Sequence, residues 1–379
     1  MTGSARGPLH IASVFATFAV GGPQVRFAAL ANRFGAAWRH TILAMDGNHA
    51  CRERLDPGLD VAYLDVPGRK GATFGNLREF RRLLQGLRPD LLVTHNWGSI
   101  EWAMANWPPV VRHIHIEDGF GPEERDHQLR RRVLTRRLVL ARSQVVVPSR
   151  TLERIATERW RLDRRRVHTI PNGIDLTRFA RPRDEALQAH FPGGGPVVGT
   201  VAALRPEKNL SCLLRAFQAA SATTPARLVI VGDGPERSGL ERLADDLGLG
   251  DRIRFAGHMS DPAPFCAGFD LFALSSDTEQ MPLSVVEAMA AGLPVASTDV
   301  GDLRLMLASE NAPFVGARSY EALARSIRDL LDDRSLRARV GAANRVKAAR
   351  EYDQDSMFRA YAALFEGTTA GPASRARTA

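Results

Sequence analysis

Cysteine is scarce in this chain: three in 379 residues, Cys51, Cys212 and Cys266. Their spacing forms neither a metal-ligand pattern nor a disulfide framework, which fits a reducing compartment. No uninterrupted apolar run approaches the length of a membrane span. The first ten residues, MTGSARGPLH, contain no apolar core of signal-peptide length. The expectation is therefore a cytoplasmic protein, soluble or peripheral on the cytoplasmic face of a membrane. No G-x-G-x-x-G follows any strand candidate, which removes the dinucleotide fingerprint. No Asp-x-Asp stands at a strand end to hold a metal, and no recognised nucleic-acid motif accompanies the basic residues. Short-period repeats and low-complexity segments are also missing.

What is present describes a globular chain long enough for two domains. Hydrophobic residues make up 44% and charged residues 25%. The net charge of +9 is unevenly spread, because residues 1–195 carry 30 Lys/Arg against 19 Asp/Glu while the rest carry 21 against 23. The excess is local, in Arg130, Arg131, Arg132, Arg136, Arg137 and Arg142, then Arg159, Arg161, Arg164, Arg165 and Arg166. Two readings are open: a solvated arginine-rich helix face, or a surface for an anionic partner. For the second, an anionic membrane surface or a lipid-diphosphate acceptor is the more economical partner, and nucleic acid is not expected.

Short apolar runs alternate with helical stretches throughout. In the first half, strands are expected at 9–18, 40–45, 61–66, 89–95, 110–116, 144–147 and 167–170. Helices are expected at 25–34, 75–87, 123–141 and 151–161. Gly21-Gly22 falls between the first strand and first helix, as a plain tight turn or a place for another molecule to approach the backbone. His113, His115 and Glu117 share one face of an extended strand, with Asp118 just beyond. They can be structural histidines, a substrate contact or, less readily, metal ligands, since the spacing matches no common zinc pattern. Pro192 and Gly193 to Gly195 make the best linker, so the domain boundary is placed there.

The second half restarts the alternation, and residues 270–299 are its centre. DLFALSSDTEQMPLSVVEAMAAGLPVASTD reads as strand, loop, helix, strand. Pro282 marks a helix start and Gly292 its stop. Glu279 lies just before the helix and Glu287 inside it. A helix N-terminus at the end of a buried strand offers free N–H groups to an anion, and carboxylates beside it can accept hydrogen bonds from sugar hydroxyls. Phosphate and sugar together suggest a nucleotide sugar.

With these pieces in order, the chain resembles the retaining glycosyltransferases of family 4, also called glycosyl transferases group 1. The resemblance rests on Gly21-Gly22, Pro171-Asn172-Gly173-Ile174-Asp175 with Phe179, Pro206-Glu207-Lys208-Asn209, Gly232-Asp233-Gly234-Pro235, and Glu279 followed by Glu287. It implies an α/β chain of the GT-B fold, two doubly wound parallel-sheet (Rossmann-like) domains facing a central cleft. The expected organisation is an acceptor-side domain at 1–185 and a donor-binding domain at 196–350. A helix at 351–366 would cross back to the first domain, followed by a disordered tail at 367–379.

The resemblance also implies roles. Glu287 would bind the donor's ribose hydroxyls, and Glu279 would sit by the transferred sugar. Met281, Pro282, Leu283 and Ser284 would surround its phosphate and sugar. Lys208 would neutralise the diphosphate, Gly21 and Gly22 would approach the donor from the first domain, and His115 would lie close to the sugar. Two positions depart from the family pattern. Ala203 stands where an arginine is common, and Arg205, on the same side of an extended chain, either substitutes for it or is a surface residue. Gln280-Met281 replaces the frequent Gly-Phe.

The implied reaction is sugar transfer from a nucleoside-diphosphate sugar to a hydroxyl of a glycan or lipid-linked acceptor, with retention. No cofactor and no metal are expected. The alternatives are a non-catalytic nucleotide-sugar binder and a GT-B-fold sugar-nucleotide epimerase.

Overall fold

The computed structural model describes residues 7–66, 72–120, 122–124, 127–182 and 194–368. The chain divides into two compact units, one running to Ile170 and resuming at Phe358, the other spanning Pro171–Met357. The tail expected at 367–379 lies outside the described residues from 369 onward, as does most of the expected linker.

The first unit is built on seven strands, β1 (Leu9–Phe15), β2 (Trp38–Ala44), β3 (Val61–Asp65), β4 (Leu91–His95), β5 (Arg112–Ile116), β6 (Gln144–Val147) and β7 (Val167–Thr169). They form one sheet in the order β3-β2-β1-β4-β5-β6-β7, and every pairing is parallel. The second unit repeats the scheme with β8 (Val197–Val201), β9 (Arg227–Val231), β10 (Ile253–Gly257), β11 (Leu271–Leu274), β12 (Val295–Thr298) and β13 (Val315–Gly316). Their order is β10-β9-β8-β11-β12-β13, again all parallel.

Parallel neighbours need long crossovers, which the intervening helices supply. Helices on both faces leave the central strands dry. Every residue of β4, β9, β11 and β12 is buried, so these strands carry short apolar runs without polar alternation, with buried polar residues only at their ends. Both sheets are doubly wound, as the sequence pattern predicts. In each, the strand order reverses once, between β1 and β4 and between β8 and β11. The loops leaving those carboxyl ends diverge and open a crevice for a ligand.

The division falls at Ile170, upstream of the boundary expected at the glycine run. The reason lies in the Pro171–Asp175 motif. Ile174 N–H donates to Tyr352 O at 3.0 Å, and Gln354 N–H donates to Ile174 O at 3.1 Å. A Cβ on Gly173 would stand 2.7 Å from the Gln354 backbone, so only glycine lets these two segments lie side by side. Asp175 then caps the short helix Leu176–Phe179, and Phe179 is buried in the second unit's core beside Val285 and Met289. These residues therefore belong to the second unit.

The arginine-rich helix is shorter than expected. It spans Arg130–Val139, after a separate turn at Pro122–Glu124. The turn points Glu124 inward, where its carboxylate takes Leu129 N–H at 3.1 Å together with Arg132 and Arg136. Arg136 has no accessible surface and also bonds Glu117 at 3.0 Å. Its guanidinium lies about 5 Å from the rings of Trp97, Phe120 and Trp160. Burial alone would raise the Glu124 carboxyl, yet the bonds from Arg136 and Arg132 hold it below its ordinary range. Arg132 and Arg136 are thus internal fastenings. This corrects the expectation that the whole 130–137 run faces an anionic surface.

Candidate functional site

In the second unit the site forms where the loop after β8 meets the loop after β11. The β8 loop carries Ala203, Leu204 and Arg205 into a single turn, Pro206–Lys208. Leu204 is fully buried, whereas Ala203 and Arg205 on either side are exposed. The two share the outward side, as an extended chain requires. Arg205 makes no side-chain hydrogen bond or ion pair with the described residues. The Gly232–Pro235 loop supports this turn from below. Leu204 N–H donates to Asp233 O at 3.0 Å, and Glu236 N–H donates to Leu204 O at 3.1 Å. A Cβ at Gly234 would stand 2.6 Å from Leu204 O, so the glycine permits backbone contact.

The β11 loop closes on the same turn. Lys208 Nζ donates to Glu279 Oε1 at 2.5 Å, and Ser276 Oγ donates to the same oxygen at 2.8 Å. Ser275 Oγ bonds Lys208 O, Asn209 Nδ2 bonds Asp277, and Asp277 N–H bonds Glu207 O. Thr298 at the end of β12 donates to Ser276 O at 2.7 Å. Gly301, in the left-handed region at φ 54°, packs against Glu279 O where no Cβ would fit. Two loops about 70 residues apart in sequence are therefore held together by at least four hydrogen bonds. Their charged groups are only partly exposed, Lys208 at 24% and Glu279 at 11%. A cation and a carboxylate fixed at a strand-end crevice are preorganised for a polar ligand.

Beyond Glu279 the chain turns at Pro282 into the helix Leu283–Ala290. Val285 and Val286 N–H both donate to Pro282 O. The N–H groups of Leu283 and Ser284 have no acceptor among the described residues, and with the helix dipole they form an anion-binding end. Met281 is buried and its sulfur accepts Asn172 N–H at 3.2 Å, so its side chain holds the Pro171–Asp175 turn. Glu287 sits in the second turn of the helix. It keeps some exposed surface, but burial pushes its carboxyl up to about 7. Arg178 nearby opposes the rise and Asp261 adds to it. Arg178 is itself paired with Asp261 at 2.9 Å.

In the first unit Gly21 precedes the helix Gly22–Phe34. Its φ of −165° is open to any residue. A Cβ at Gly22 would meet nothing within 4 Å. A Cβ at Gly21 would stand 2.8 Å from Gln24 Oε1, the end of a flexible side chain, so Gly22 provides room and neither glycine is needed for an unusual backbone conformation. His115 is fully enclosed, out of a substrate's reach in this conformation. Its Nδ1 contacts Thr94 Oγ1 at 2.8 Å, and the same hydroxyl contacts His113 Nε2 at 2.8 Å. His113 Nδ1 contacts Ser143 Oγ at 2.7 Å. His115 Nε2 lies 3.6 Å from Glu117, too far for a hydrogen bond. The expected shared face of His113, His115 and Glu117 exists, but it faces a buried polar row.

The group that emerges at the end of β5 is Asp118. It receives two hydrogen bonds from the buried Arg26, at 2.5 and 2.8 Å. Its N–H donates to Asn96 Oδ1 at 2.7 Å. Asn96 follows β4 and has φ 56°, a strained conformation for a residue with a Cβ. Sequence reasoning noted Asp118 but passed over Arg26 and Asn96. The signal for Arg26 is an arginine at an inward position of an otherwise apolar helix face.

Comparison with known proteins agrees with this geometry. Residues 183–347 match the family described as Glycosyl transferases group 1, and residues 20–178 match Glycosyltransferase Family 4. The chain is 28% identical to a 2-deoxystreptamine N-acetyl-D-glucosaminyltransferase of Streptomyces fradiae, over 90% of each protein. It is 31% identical to a D-inositol 3-phosphate glycosyltransferase of Salinispora arenicola, over 72% of this chain and 68% of that protein. It is also 30% identical to the lipopolysaccharide core biosynthesis glycosyltransferase LpsE of Rhizobium meliloti, a match that spans 56% of this chain and 60% of LpsE. Among solved structures, HepE of Anabaena in complex with UDP superposes with a TM-score of 0.80 at 18% identity, over 95% of this chain and all of HepE. At that identity the likeness shows the fold, GT-B with its two Rossmann-like units.

Proposed function

Because the chain belongs to the group 1 glycosyl transferases, and is therefore a glycosyltransferase, we propose that it moves a sugar from a nucleoside-diphosphate sugar to an acceptor hydroxyl with retention of anomeric configuration. The observation that carries this reading is the Lys208–Glu279 pair beside the open N–H groups of Leu283 and Ser284. On donor binding the diphosphate takes Lys208 and the helix N-terminus. Glu279, still held by Ser276, turns its acceptor capacity to the sugar hydroxyls. Glu287 takes the ribose hydroxyls, and Arg205 supplies a second cation where Ala203 cannot.

The barrier in such a transfer is departure of the diphosphate from an oxocarbenium-like centre. Cations and N–H dipoles aimed at the growing phosphate charge lower it, by about 2–4 kcal/mol per well-placed donor. With Lys208, Arg205 and the helix end in those roles, the reading assigns no charge neutralisation to a metal. It assigns no general base either, since His115 is enclosed; an oxygen of the departing diphosphate takes the acceptor proton. The relatives' names point to cyclitols and the lipopolysaccharide core. The acceptor proposed here is correspondingly a glycan or lipid-linked glycan in polysaccharide or glycolipid synthesis.

The test is incubation with labelled UDP-, GDP- and ADP-sugars and a membrane extract. Transfer, or slow donor hydrolysis without acceptor, supports the proposal. Saturable donor binding with neither would make the chain a binder, and interconversion of the donor sugar would make it an epimerase.

A second feature bears on where the enzyme works. No helix among the described residues is long and apolar enough to cross a membrane. With Arg132 and Arg136 turned inward, the helix Arg130–Val139 presents Arg130, Arg131 and Arg137 outward with Leu134 and Leu138, which are 55% and 62% exposed. A basic face with projecting leucines suits an anionic membrane surface, so the chain is read as a peripheral protein of the cytoplasmic face. Replacing Arg130, Arg131 and Arg137 with glutamine should reduce binding to anionic vesicles and spare transfer to soluble acceptors. Unchanged vesicle binding would make the face merely solvated.

A further inference from the structure

A cavity of about 360 Å³ lies in the first unit, behind the buried His113–Ser143 pair. It opens at the amino ends of β5, β6 and β7, whereas the candidate site groups stand at carboxyl ends. Arg112 begins β5, Gln144 begins β6, and Arg166 precedes β7. Among the described residues three arginines line it, Arg112, Arg142 and Arg166, and no carboxylate does.

The three are not equally committed. Arg112 donates to the carbonyls of Leu364 and Phe365 at the end of the last helix. Arg166 gives one N–H to Arg142 O at 3.2 Å, which leaves the rest of its fork open. Arg142 lies over the exposed ring of Trp107, with its guanidinium carbon 4.8 Å from the ring centre. Its side chain has no hydrogen-bond acceptor among the described residues. Stacking fixes the plane of a guanidinium while leaving its in-plane N–H groups unused. The cavity floor is neutral. Burial, with His115 adding to it, pushes His113 down to about 3, and both its nitrogens meet hydroxyls. Burial also holds Arg112 below its ordinary value. Asp90 opposes that shift, but one of its oxygens already accepts His10 N–H.

We propose that this cavity is a second anion site, for a phosphate-bearing ligand held in the fork of Arg142 and Arg166 against Trp107. Its volume falls in the range of small-ligand pockets, and paired guanidinium forks match phosphate oxygens in geometry. The ligand's source is either a free phosphate compound or a phospholipid headgroup, since Val139 of the arginine-rich helix also lines the cavity.

The test uses the full chain in a Lys208→Met and Arg205→Gln background, which removes both cations of the other candidate phosphate site. Inorganic pyrophosphate is titrated at constant ionic strength, with thermal midpoint and tryptophan fluorescence as readouts. Flotation with phosphatidylcholine vesicles, with and without phosphatidic acid, forms the second arm. The expected result is a saturable response weakened about tenfold or more by Arg142→Gln with Arg166→Gln. Trp107→Leu should weaken it less, and Arg130→Gln with Arg131→Gln should leave the pyrophosphate response unchanged. Loss confined to the pyrophosphate arm identifies a soluble ligand; loss confined to the vesicle arm identifies a headgroup. If neither arm responds to the double variant while its circular dichroism matches the parent, the site does not exist.

Discussion

Glu287 permits a test with a predictable sign. Its carboxyl is raised from 4.5 to about 7, chiefly by burial. A shift of that size corresponds to about 3 kcal/mol at 1.36 kcal/mol per pH unit. Because the residue keeps some exposed surface, the expected effect is about 2 kcal/mol. In the folded chain the proton is held more tightly than in the unfolded chain. The folded state is therefore favoured below about pH 4.5, and that advantage is lost as pH rises through about 7. Above that, the free enzyme carries a charged carboxylate in a poorly solvated place.

Glu287→Gln should accordingly stabilise the donor-free enzyme at about pH 9 by about 2 kcal/mol, and by almost nothing near pH 4.5. For a unit of this size that is roughly 4–8 °C in the calorimetric midpoint. Donor binding should reverse the order. Two ribose hydroxyls satisfy a carboxylate better than an amide, so the wild type should gain affinity as pH rises through about 7 and release a proton on binding below it. Calorimetric titration of the nucleoside diphosphate, in two buffers of different ionisation enthalpy, measures that proton. A variant equally destabilised at both pH values, or binding with no proton release near pH 6.5, would refute the ribose role and the burial argument together.

Other consequences are smaller in scope. Lys208→Met should lower kcat by about 10²–10³ with a modest change in KM, because the lysine's contact strengthens as the diphosphate leaves; an equal rise in KM with kcat intact would place it in ground-state binding only. Arg136→Met should destabilise the first unit by about 3–5 kcal/mol in urea titration, because Glu117 and Glu124 are left charged without their buried partner. His113 has the opposite pH sign to Glu287: with its folded value pushed down to about 3, stability is present above about pH 6.5 and is lost as pH falls toward 3. His113→Gln, able to bond Thr94 and Ser143, should flatten the acid limb by up to about 4 kcal/mol, and an unaltered acid limb would contradict it.

The alternation of strands and helices was legible because parallel sheets covered on both faces demand apolar runs without polar alternation, and the bodies of β4, β9 and β11 supply them. The division at Ile170 was not. Whether the Pro171–Phe179 segment belongs before or after a boundary depends on its pairing with residues 352–354, about 180 positions away, and no local pattern encodes that. The arginine run misled for a related reason. Charge count does not say which face of a helix is buried, and Arg136 is drawn inward by Trp97, Phe120 and Trp160. Those three rings come from separate elements that only the fold assembles.

The same distinction separates the two candidate sites. The second unit's site is made of backbone turns and their immediate successors, so Lys208, Glu279, the Leu283 end of the helix and Glu287 are fixed by short motifs. Each glycine in those motifs has a local reason, at Gly234 and Gly301 a carbonyl where a Cβ would sit. The first unit's strand-end group is made of Arg26, Asn96 and Asp118, contributed by α-helix, loop and strand end across 92 positions. It is held together by a charge pair and a strained asparagine. Strain and pairing at a distance leave no periodic trace. A reading that moves from motif to role finds the second unit's site readily, whereas the first unit's strand-end group has to be read from the folded chain.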